Sequence, residues 1–183
     1  IQRTLETACG HDSKQVRDIL TKASQMKGLS MEDVSHLMDI TEPDLLDELF
    51  HTAKKVKEEI YGNRIVLFAP LYASNLCNNE CTYCAFRASN KSLVRRNLSQ
   101  AEIAEETRAM IRTGQKRIVL LTGEAYPKEG LDYVLDSIRT IYATKEGKGE
   151  IRRINVEIAP LSVEDFRRLK AAEIGTYITF QET

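Results

Sequence analysis

Three cysteines, Cys77, Cys81 and Cys84, are the residues of this sequence whose type and spacing are best suited to chemistry. They are separated by four and three positions, directly after the apolar run 65–72. Thiolates are soft ligands that bind iron–sulfur clusters, zinc or copper(I). The three thiols can therefore converge on one small inorganic centre, and the number of ligands has to distinguish these metals.

The number of available ligands argues against a structural zinc site, which needs four protein ligands. The other cysteine and the histidines all lie far upstream, in a segment predicted to be helical: Cys9, His11, His36 and His51. Three thiolates suit a four-iron four-sulfur cluster whose fourth iron stays open for a substrate or cofactor. A zinc-stabilised binding module remains the non-enzyme alternative. With 4 cysteines and no signal-like segment, the sequence does not indicate a disulfide framework.

The segment before the cysteines has the pattern of amphipathic helices. Residues 13–60 have the three-to-four spacing of amphipathic helices, with a capping-box pattern at Ser30 and Pro43 near the start of a third helix. Gly62 ends this segment. We therefore predict an N-terminal helical segment, 1–62, followed by a second region, 63–183.

The second region alternates strands and helices. Predicted helices open at Ser99 and Ser162, each a capping position, and a further helix is marked by apolar residues from Leu131 onward. The predicted strands are Ile65 to Leu71, Arg117 to Thr122, Ile151 to Ile158, and Gly175 to Gln181. This alternation is typical of parallel β/α units, so the predicted fold class is α/β with the first four such units.

Polar residues follow the predicted strands at the ends where parallel architectures gather their functional groups. The three cysteines follow the first strand, and the remaining candidates lie at the ends of the next three strands: Gly123, Glu124, Glu157, Gln181 and Glu182. Taken singly, Gly123 and Glu124 read as an ordinary turn with an exposed acid, and Glu157 as a strand-end carboxylate. Beside a cysteine loop of this spacing, a functional role is favoured for Glu124.

The cysteine loop resembles that of the radical S-adenosylmethionine (SAM) superfamily. The spacing C-x3-C-x2-C, the position after a first strand and the aromatic Tyr83 before the last cysteine carry the resemblance. It implies a partial, TIM-like barrel of six β/α units, here preceded by the helical segment. It also implies a 4Fe–4S cluster on the three cysteines, with SAM chelated at the open iron and cleaved to a 5′-deoxyadenosyl radical.

The same resemblance implies roles for the residues at the strand ends. Thr122-Gly123-Glu124 corresponds to a Gly-Gly-Glu type motif whose acid engages the amino group of SAM, with Thr122 in place of the first glycine. Tyr83 lies at the position that supports the adenine. Glu157 lies where such enzymes bind the ribose or the methionine carboxylate. The expected cofactor-binding set also includes Gln181 and Glu182.

A narrower resemblance, to the tyrosine lyases of radical SAM type, covers nearly the whole chain. Its main segment is 61–72, with Ser74 and Asn75 after it. These lyases cleave the Cα–Cβ bond of L-tyrosine to p-cresol and dehydroglycine. The iron-iron hydrogenase maturase (HydG type) continues to carbon monoxide and cyanide, whereas 2-iminoacetate synthase (ThiH type) serves thiamine thiazole biosynthesis. The expected partners are L-tyrosine and an electron donor such as a ferredoxin or flavodoxin.

The two branches are both represented in the sequence. Similar to the maturase are the helical lead-in and the segments 131–135, 151–156 and 174–183; nearer the thiazole enzyme are 81–86, 121–124 and 156–161. In the maturase, we would expect Ala before Gly123 and Asn in place of Glu157. The leading prediction is a lyase of hydrogenase maturation. The enzyme alternatives are 2-iminoacetate synthase and a paralogue acting on another aromatic amino acid.

Composition excludes several other classes. The chain is 42% hydrophobic and 29% charged, an ordinary globular composition, and its net charge of −1 leaves no electrostatic footprint for nucleic acid. No apolar run approaches the roughly 20 residues that span a bilayer, and the N-terminus lacks the apolar core of a signal peptide, so we expect a cytoplasmic protein.

The start without Met and the end at Thr183 predict a piece of a longer protein, with the C-terminal half of the barrel missing. Activity of this piece alone is not expected.

Overall fold

The computed structural model describes residues 12–125 and 127–180. The chain divides into two compact units, Ile1–Val66 and Leu67–Thr183, and each is described by itself. Four residues singled out in the sequence lie outside the described residues: Cys9, His11, Gln181 and Glu182. Within the described ranges, no helix is both long and apolar enough to cross a membrane.

The first unit is helical, as its periodicity predicts. Its helices are α1 (Ser13–Ala23), α2 (Met31–Met38) and α3 (Pro43–Tyr61). The hydroxyl of Ser30 accepts the Asp33 N–H while the Asp33 carboxylate accepts the Ser30 N–H, which completes the predicted capping box. A small apolar core joins the helices, formed by Val16, Leu20, Ile40 and Leu45.

The second unit alternates strands and helices, as predicted. Its elements are β1 (Ala69–Ser74), α4 (Gln100–Arg112), β2 (Arg117–Thr122), α5 (Leu131–Ala143), β3 (Lys145–Glu146), β4 (Gly149–Glu150), β5 (Arg153–Glu157), α6 (Val163–Ala171) and β6 (Thr176–Ile178). Gly147 lies at the tip of the small β3–β4 hairpin. β5 and β6 are shorter than the strands predicted for 151–158 and 175–181. β5 pairs with β2 only along Arg153–Glu157, and β6 pairs with β5 only along Thr176–Ile178.

The first strand begins later than its apolar run predicts. Ile65 and Leu67 are 83% and 71% exposed, and β1 begins only at Ala69. The reason is the partner strand: Ala69 aligns with Ile118, and β2 starts just one residue earlier at Arg117. The prediction of a strand over Ile65 to Leu71 is therefore wrong for its first half.

Four strands form an open parallel sheet in the order β1-β2-β5-β6. Alternate residues of the strands pack with helices α4, α5 and α6 in one core, which includes Ile118, Leu120, Ile154 and Val156. Because side chains alternate across a strand, the intervening residues point to the opposite face of the sheet. The sheet thus presents a second face whose end carries the candidate site.

Candidate functional site

The strand register brings the carboxyl ends of the four strands to one rim. Ser74 of β1 aligns with Thr122 of β2, and Leu121 aligns with Glu157 of β5. Glu157 in turn aligns with Ile178 of β6. The loops that leave these strands therefore start side by side, as expected of the functional edge of parallel β/α units.

A cavity of about 520 Å³ lies at this rim. Seven of the residues singled out in the sequence line it: Cys77, Cys81, Tyr83, Cys84, Gly123, Glu124 and Glu157. The structure therefore brings together all the predicted site residues that it describes. Gln181 and Glu182 lie outside the described residues, and their proposed contact with a cofactor stays a prediction.

The cysteine loop is a sequence of tight turns. The Cys84 N–H donates to the Cys81 carbonyl at 2.9 Å, and the Ala88 N–H donates back to the Asn79 carbonyl at 2.8 Å. All three cysteines are half-buried thiols. The sulfur of Cys84 accepts the backbone N–H of Phe86 at 3.4 Å. Hydrogen bonds of this kind to a ligating sulfur orient the ligand and tune the metal centre.

Gly123 joins the end of β2 to the start of the cysteine loop. Its N–H donates to the Ser74 carbonyl at 2.9 Å, and the Ala125 N–H donates to the Leu76 carbonyl at 3.1 Å. A Cβ atom at position 123 would lie 2.2 Å from the oxygen of Leu76 and 3.1 Å from the Cβ of Cys77. Only glycine fits there without moving the backbone, so this residue sets how closely the two loops approach.

Glu124 is fixed to the cysteine loop by a side-chain hydrogen bond. The amide Nδ2 of Asn79, which lies between the first two cysteines, donates to its Oε2 at 2.8 Å. Residues of two different loops thereby place a carboxylate on the wall that also carries the thiols. Such a carboxylate can accept hydrogen bonds from an ammonium group with the strength of a charge-assisted pair.

Glu157 and Tyr83 occupy different parts of the cavity wall. Burial raises the pKa of the Glu157 carboxyl above its ordinary value. Tyr83 is 71% exposed, so its ring is available as a flat surface at the mouth of the cavity. The structure gives these two residues positions on the wall; their assignments to the ribose or methionine carboxylate and to the adenine stay predictions.

Several wall residues were missed by reasoning from the sequence. Tyr72 of β1 packs edge-on against Phe86, with ring centroids 5.8 Å apart, and both rings line the cavity. Tyr72 lies between buried Leu71 and Ala73 in the structure, but the continuous apolar run around it carries no alternation in the sequence that singles it out. Asn79 also went unremarked, although its place between two cysteines made it a candidate.

Thr122, which stands in place of the first glycine of the Gly-Gly-Glu type motif, brings a polar atom to the cavity wall. Its Oγ1 is buried and has no hydrogen-bond partner among the residues that the structure describes. A buried hydroxyl without a partner is costly, and it is available to a polar group that enters the cavity. Thr122 lines the cavity next to Gly123 and Glu124.

The donor set fits an iron–sulfur cluster. Three half-buried thiols line one cavity, and one of them already accepts a backbone N–H. Within the described ranges, no three His, Cys, Asp or Glu side chains converge closely enough to share one metal ion. Thiolates that bind different irons of one cluster do not need to converge on a single point, so this spacing is compatible with a cluster.

Comparisons with known proteins agree with this description. The radical SAM superfamily matches residues 71–181, which include most of β1, the other strands of the sheet and the cysteine loop. The chain is similar to 2-iminoacetate synthase of Salmonella typhimurium, with 33% identity over 155 residues, or 85% of this chain and 39% of that protein.

Two solved structures of hydrogenase maturases are similar to the chain as well. The structure of HydG, a maturase of the FeFe-hydrogenase, has 44% identity and a TM-score of 0.79, and the match covers 100% of this chain and 40% of that one. For HydG from Carboxydothermus hydrogenoformans, the values are 42% and 0.68, with 96% and 41% covered. The chain thus spans about two fifths of the length of these relatives.

The family match covers more than half of the chain and contains the cysteine loop, the Gly123 turn and Glu124. The relatives of this family use a 4Fe–4S cluster with SAM, and the three thiols and the carboxylate of Glu124 line one cavity. On this combined basis of fold, site and similarity, the chain belongs to the radical SAM superfamily.

Proposed function

We propose that the protein containing this chain is a radical SAM lyase that cleaves the Cα–Cβ bond of L-tyrosine to p-cresol and dehydroglycine and serves hydrogenase maturation by forming carbon monoxide and cyanide. One observation carries the proposal: the whole chain is similar to HydG, a maturase of the FeFe-hydrogenase, at 44% identity. Because the chain spans about two fifths of that protein, the rest of the barrel, the substrate contacts and the electron donor belong to the proposal as well.

In this proposal Cys77, Cys81 and Cys84 hold the cluster. The narrow approach at Gly123 keeps the loop after β2 against the loop that carries these thiols. The N–H of Phe86 fixes the sulfur of Cys84. When bound, the cluster and SAM supply a 5′-deoxyadenosyl radical able to abstract hydrogen. The chain's own part is to hold these groups in the cavity at the rim of the sheet.

Glu124 is proposed to receive the amino group of SAM. The Asn79 amide holds its carboxylate in place, so the acid does not have to be reoriented when the cofactor arrives. Tyr83 is proposed to support the adenine, and Glu157 to contact the ribose or the methionine part. The raised pKa of Glu157 is consistent with a carboxyl that lies in a partly desolvated position until a polar partner binds.

A second candidate is the activity of 2-iminoacetate synthase. The observation that favours it is the 33% identity to the Salmonella typhimurium enzyme of that name, together with the Thr122-Gly123-Glu124 and Glu157 positions noted in the sequence. Both candidates begin with tyrosine cleavage, so they share p-cresol and differ in what becomes of dehydroglycine. A paralogue that accepts another aromatic amino acid would yield no p-cresol.

The test is product analysis with the whole protein after anaerobic cluster reconstitution. We expect 5′-deoxyadenosine and p-cresol from L-tyrosine, SAM and dithionite, with cyanide detected as a further product. Cys84→Ala is the matched control and should yield none of the three. If p-cresol forms without cyanide, the protein has the activity of 2-iminoacetate synthase and not that of the maturase. If 5′-deoxyadenosine forms without p-cresol, tyrosine is the wrong substrate.

A further inference from the structure

Arg95 holds the two ends of the cysteine loop together. One nitrogen of its guanidinium, Nη1, donates to the carbonyls of Asn75 and Phe86, both at 2.8 Å. The other, Nη2, donates to the carbonyl of Arg87 at 2.7 Å and more weakly to that of Asn90 at 3.5 Å. Asn75 precedes the first cysteine, whereas Phe86 and Arg87 follow the last. A single side chain thus bridges the entry and the exit of the loop.

A second set of bonds brings Arg95 to this place. The Asn75 side chain donates to the Val94 carbonyl at 2.8 Å and accepts the Arg96 N–H at 2.7 Å. The Asn75 N–H also donates to the Arg96 carbonyl at 3.0 Å. The residues on both sides of Arg95 are therefore attached to Asn75 at the entry of the loop. This attachment places the Arg95 guanidinium beside the loop carbonyls to which it donates.

The other cations of the segment have different partners. Arg87 donates to the Cys84 carbonyl at 3.0 Å, and Lys91 donates to the Ala88 carbonyl at 2.8 Å. Arg96 forms an ion pair with Glu102. Arg87 and Arg95 are half-buried, although basic residues in a loop are usually solvated. Three of these four cations donate to loop carbonyls and the fourth pairs with Glu102, which argues against a basic docking surface for a partner.

We propose that Arg95 is the positioning residue of the cysteine loop: its guanidinium presets the three thiols before a cluster is present and its fixed charge stabilises the reduced cluster. The planar fork of an arginine reaches several acceptors at once, which a lysine ammonium on one stem does not do in the same geometry. The guanidinium also brings a positive charge to the two ends of the cysteine loop. This inference rests on the proposed cluster at Cys77, Cys81 and Cys84.

Two variants separate the geometric from the electrostatic contribution. Arg95→Lys keeps the charge but loses the fork, and Arg95→Gln loses both. Arg96→Gln is the matched control, because it removes the same charge from the next residue, whose partner is Glu102 rather than the loop. Three quantities are measured: amide hydrogen exchange of residues 76–90 without a cluster, the rate of iron loss to a chelator, and the midpoint potential of the cluster.

We expect faster exchange across the loop in both Arg95 variants and iron loss that is about tenfold faster, as is typical when a group supporting metal ligands is removed. The potential should become more negative in Arg95→Gln and stay near the wild-type value in Arg95→Lys. Arg96→Gln should match the wild type throughout.

Wild-type exchange and iron loss in Arg95→Lys would overturn the positioning role, and an unchanged potential in Arg95→Gln would overturn the electrostatic role. Equal effects of Arg96→Gln would overturn the assignment to Arg95. If the wild-type protein assembles no cluster, the proposed function fails instead, and hydrogen exchange alone then decides whether Arg95 closes the loop.

Discussion

At the scale of single residues, Glu124 is the carboxylate whose position is best fixed. The Asn79 amide can donate equally well to the oxygen of a glutamine, so Glu124→Gln removes the negative charge while keeping the local geometry. We expect the affinity for SAM to fall by roughly tenfold or more, because a hydrogen bond to a charged group contributes about 1.5–3 kcal/mol. Equilibrium binding of SAM to the cluster-loaded protein measures this.

The control for this change is Glu80→Gln. Glu80 is an exposed carboxylate of the same cysteine loop, and it does not line the cavity. Its removal alters the overall charge by the same amount and should leave the affinity for SAM unchanged. Wild-type affinity in Glu124→Gln would contradict the role proposed for that residue.

The buried carboxyl of Glu157 should make the stability of the folded chain depend on pH. Burial raises its pKa in the folded chain above the ordinary value of 4.5, so folding favours the protonated carboxyl. The associated stability is fully present below pH 4.5 and is lost as the pH rises through the folded pKa. Glu157→Gln should therefore unfold at a higher temperature than the wild type at pH 7, and this difference should shrink as the pH approaches 4.5.

Thermal unfolding of the cluster-free protein at several pH values measures the difference. Glu129→Gln serves as the comparison, because Glu129 is an exposed acid in the loop before α5. A stability difference between Glu157→Gln and the wild type that stays constant from pH 7 to pH 4.5 would contradict the assignment to this carboxyl.

At the scale of elements, the close approach of two loops depends on Gly123. In Gly123→Ala the new Cβ would lie 2.2 Å from the Leu76 oxygen, so one of the two loops must move. We expect a loss of about 1–3 kcal/mol of unfolding free energy, typical of overpacked sites, together with poorer cluster retention. Urea unfolding and the iron content after reconstitution measure the two effects.

Thr122→Ala is the control for Gly123→Ala, since it removes atoms from the same strand end instead of adding one. Its hydroxyl has no partner among the described residues, so its removal should cost little stability in the cluster-free protein. Equal losses in the two variants would mean that this strand end tolerates no change of any kind, and that the Leu76 approach is not the cause.

Elements with local signals could be predicted from the sequence. The start of α4 is a complete capping box, in which Ser99 accepts the Glu102 N–H and Glu102 accepts the Ser99 N–H. The same hydroxyl cap opens α6 at Ser162. These signals depend on residues three positions apart, so they can be read without knowing the fold. The spacing of the three cysteines is equally local.

Features that depend on distant partners could not be predicted in this way. The start of β1 is set by where β2 begins, because an apolar residue without a neighbouring strand has nothing to pair with. The role of Arg95 depends on the path of the loop, which brings carbonyls from positions 75 and 87 to one side chain. A basic residue in a loop is usually interpreted as solvent-exposed, and no local sequence pattern distinguishes Arg95 from such a residue.

At the scale of the whole molecule, the described part of the chain has four parallel strands in an open sheet, and the chain spans about two fifths of its relatives. One edge of that sheet is β1 and the other is β6. An open edge exposes unpaired backbone groups, which proteins normally cover or pair. The further β/α units proposed for the complete barrel would supply such pairing beside β6.

The class of the whole protein is tested by its metal centre, because a zinc-stabilised binding module and a radical enzyme would use the same three thiols differently. After anaerobic reconstitution and reduction, we expect a four-iron electron paramagnetic resonance signal that changes when SAM is added, since an open iron is available to the cofactor. Cys77→Ala, Cys81→Ala and Cys84→Ala should each abolish the signal, whereas replacement of His51 in α3 by Ala should preserve it. Zinc bound in stoichiometric amount with no iron signal would instead mean that the loop is structural, because zinc has no redox chemistry to initiate a radical reaction.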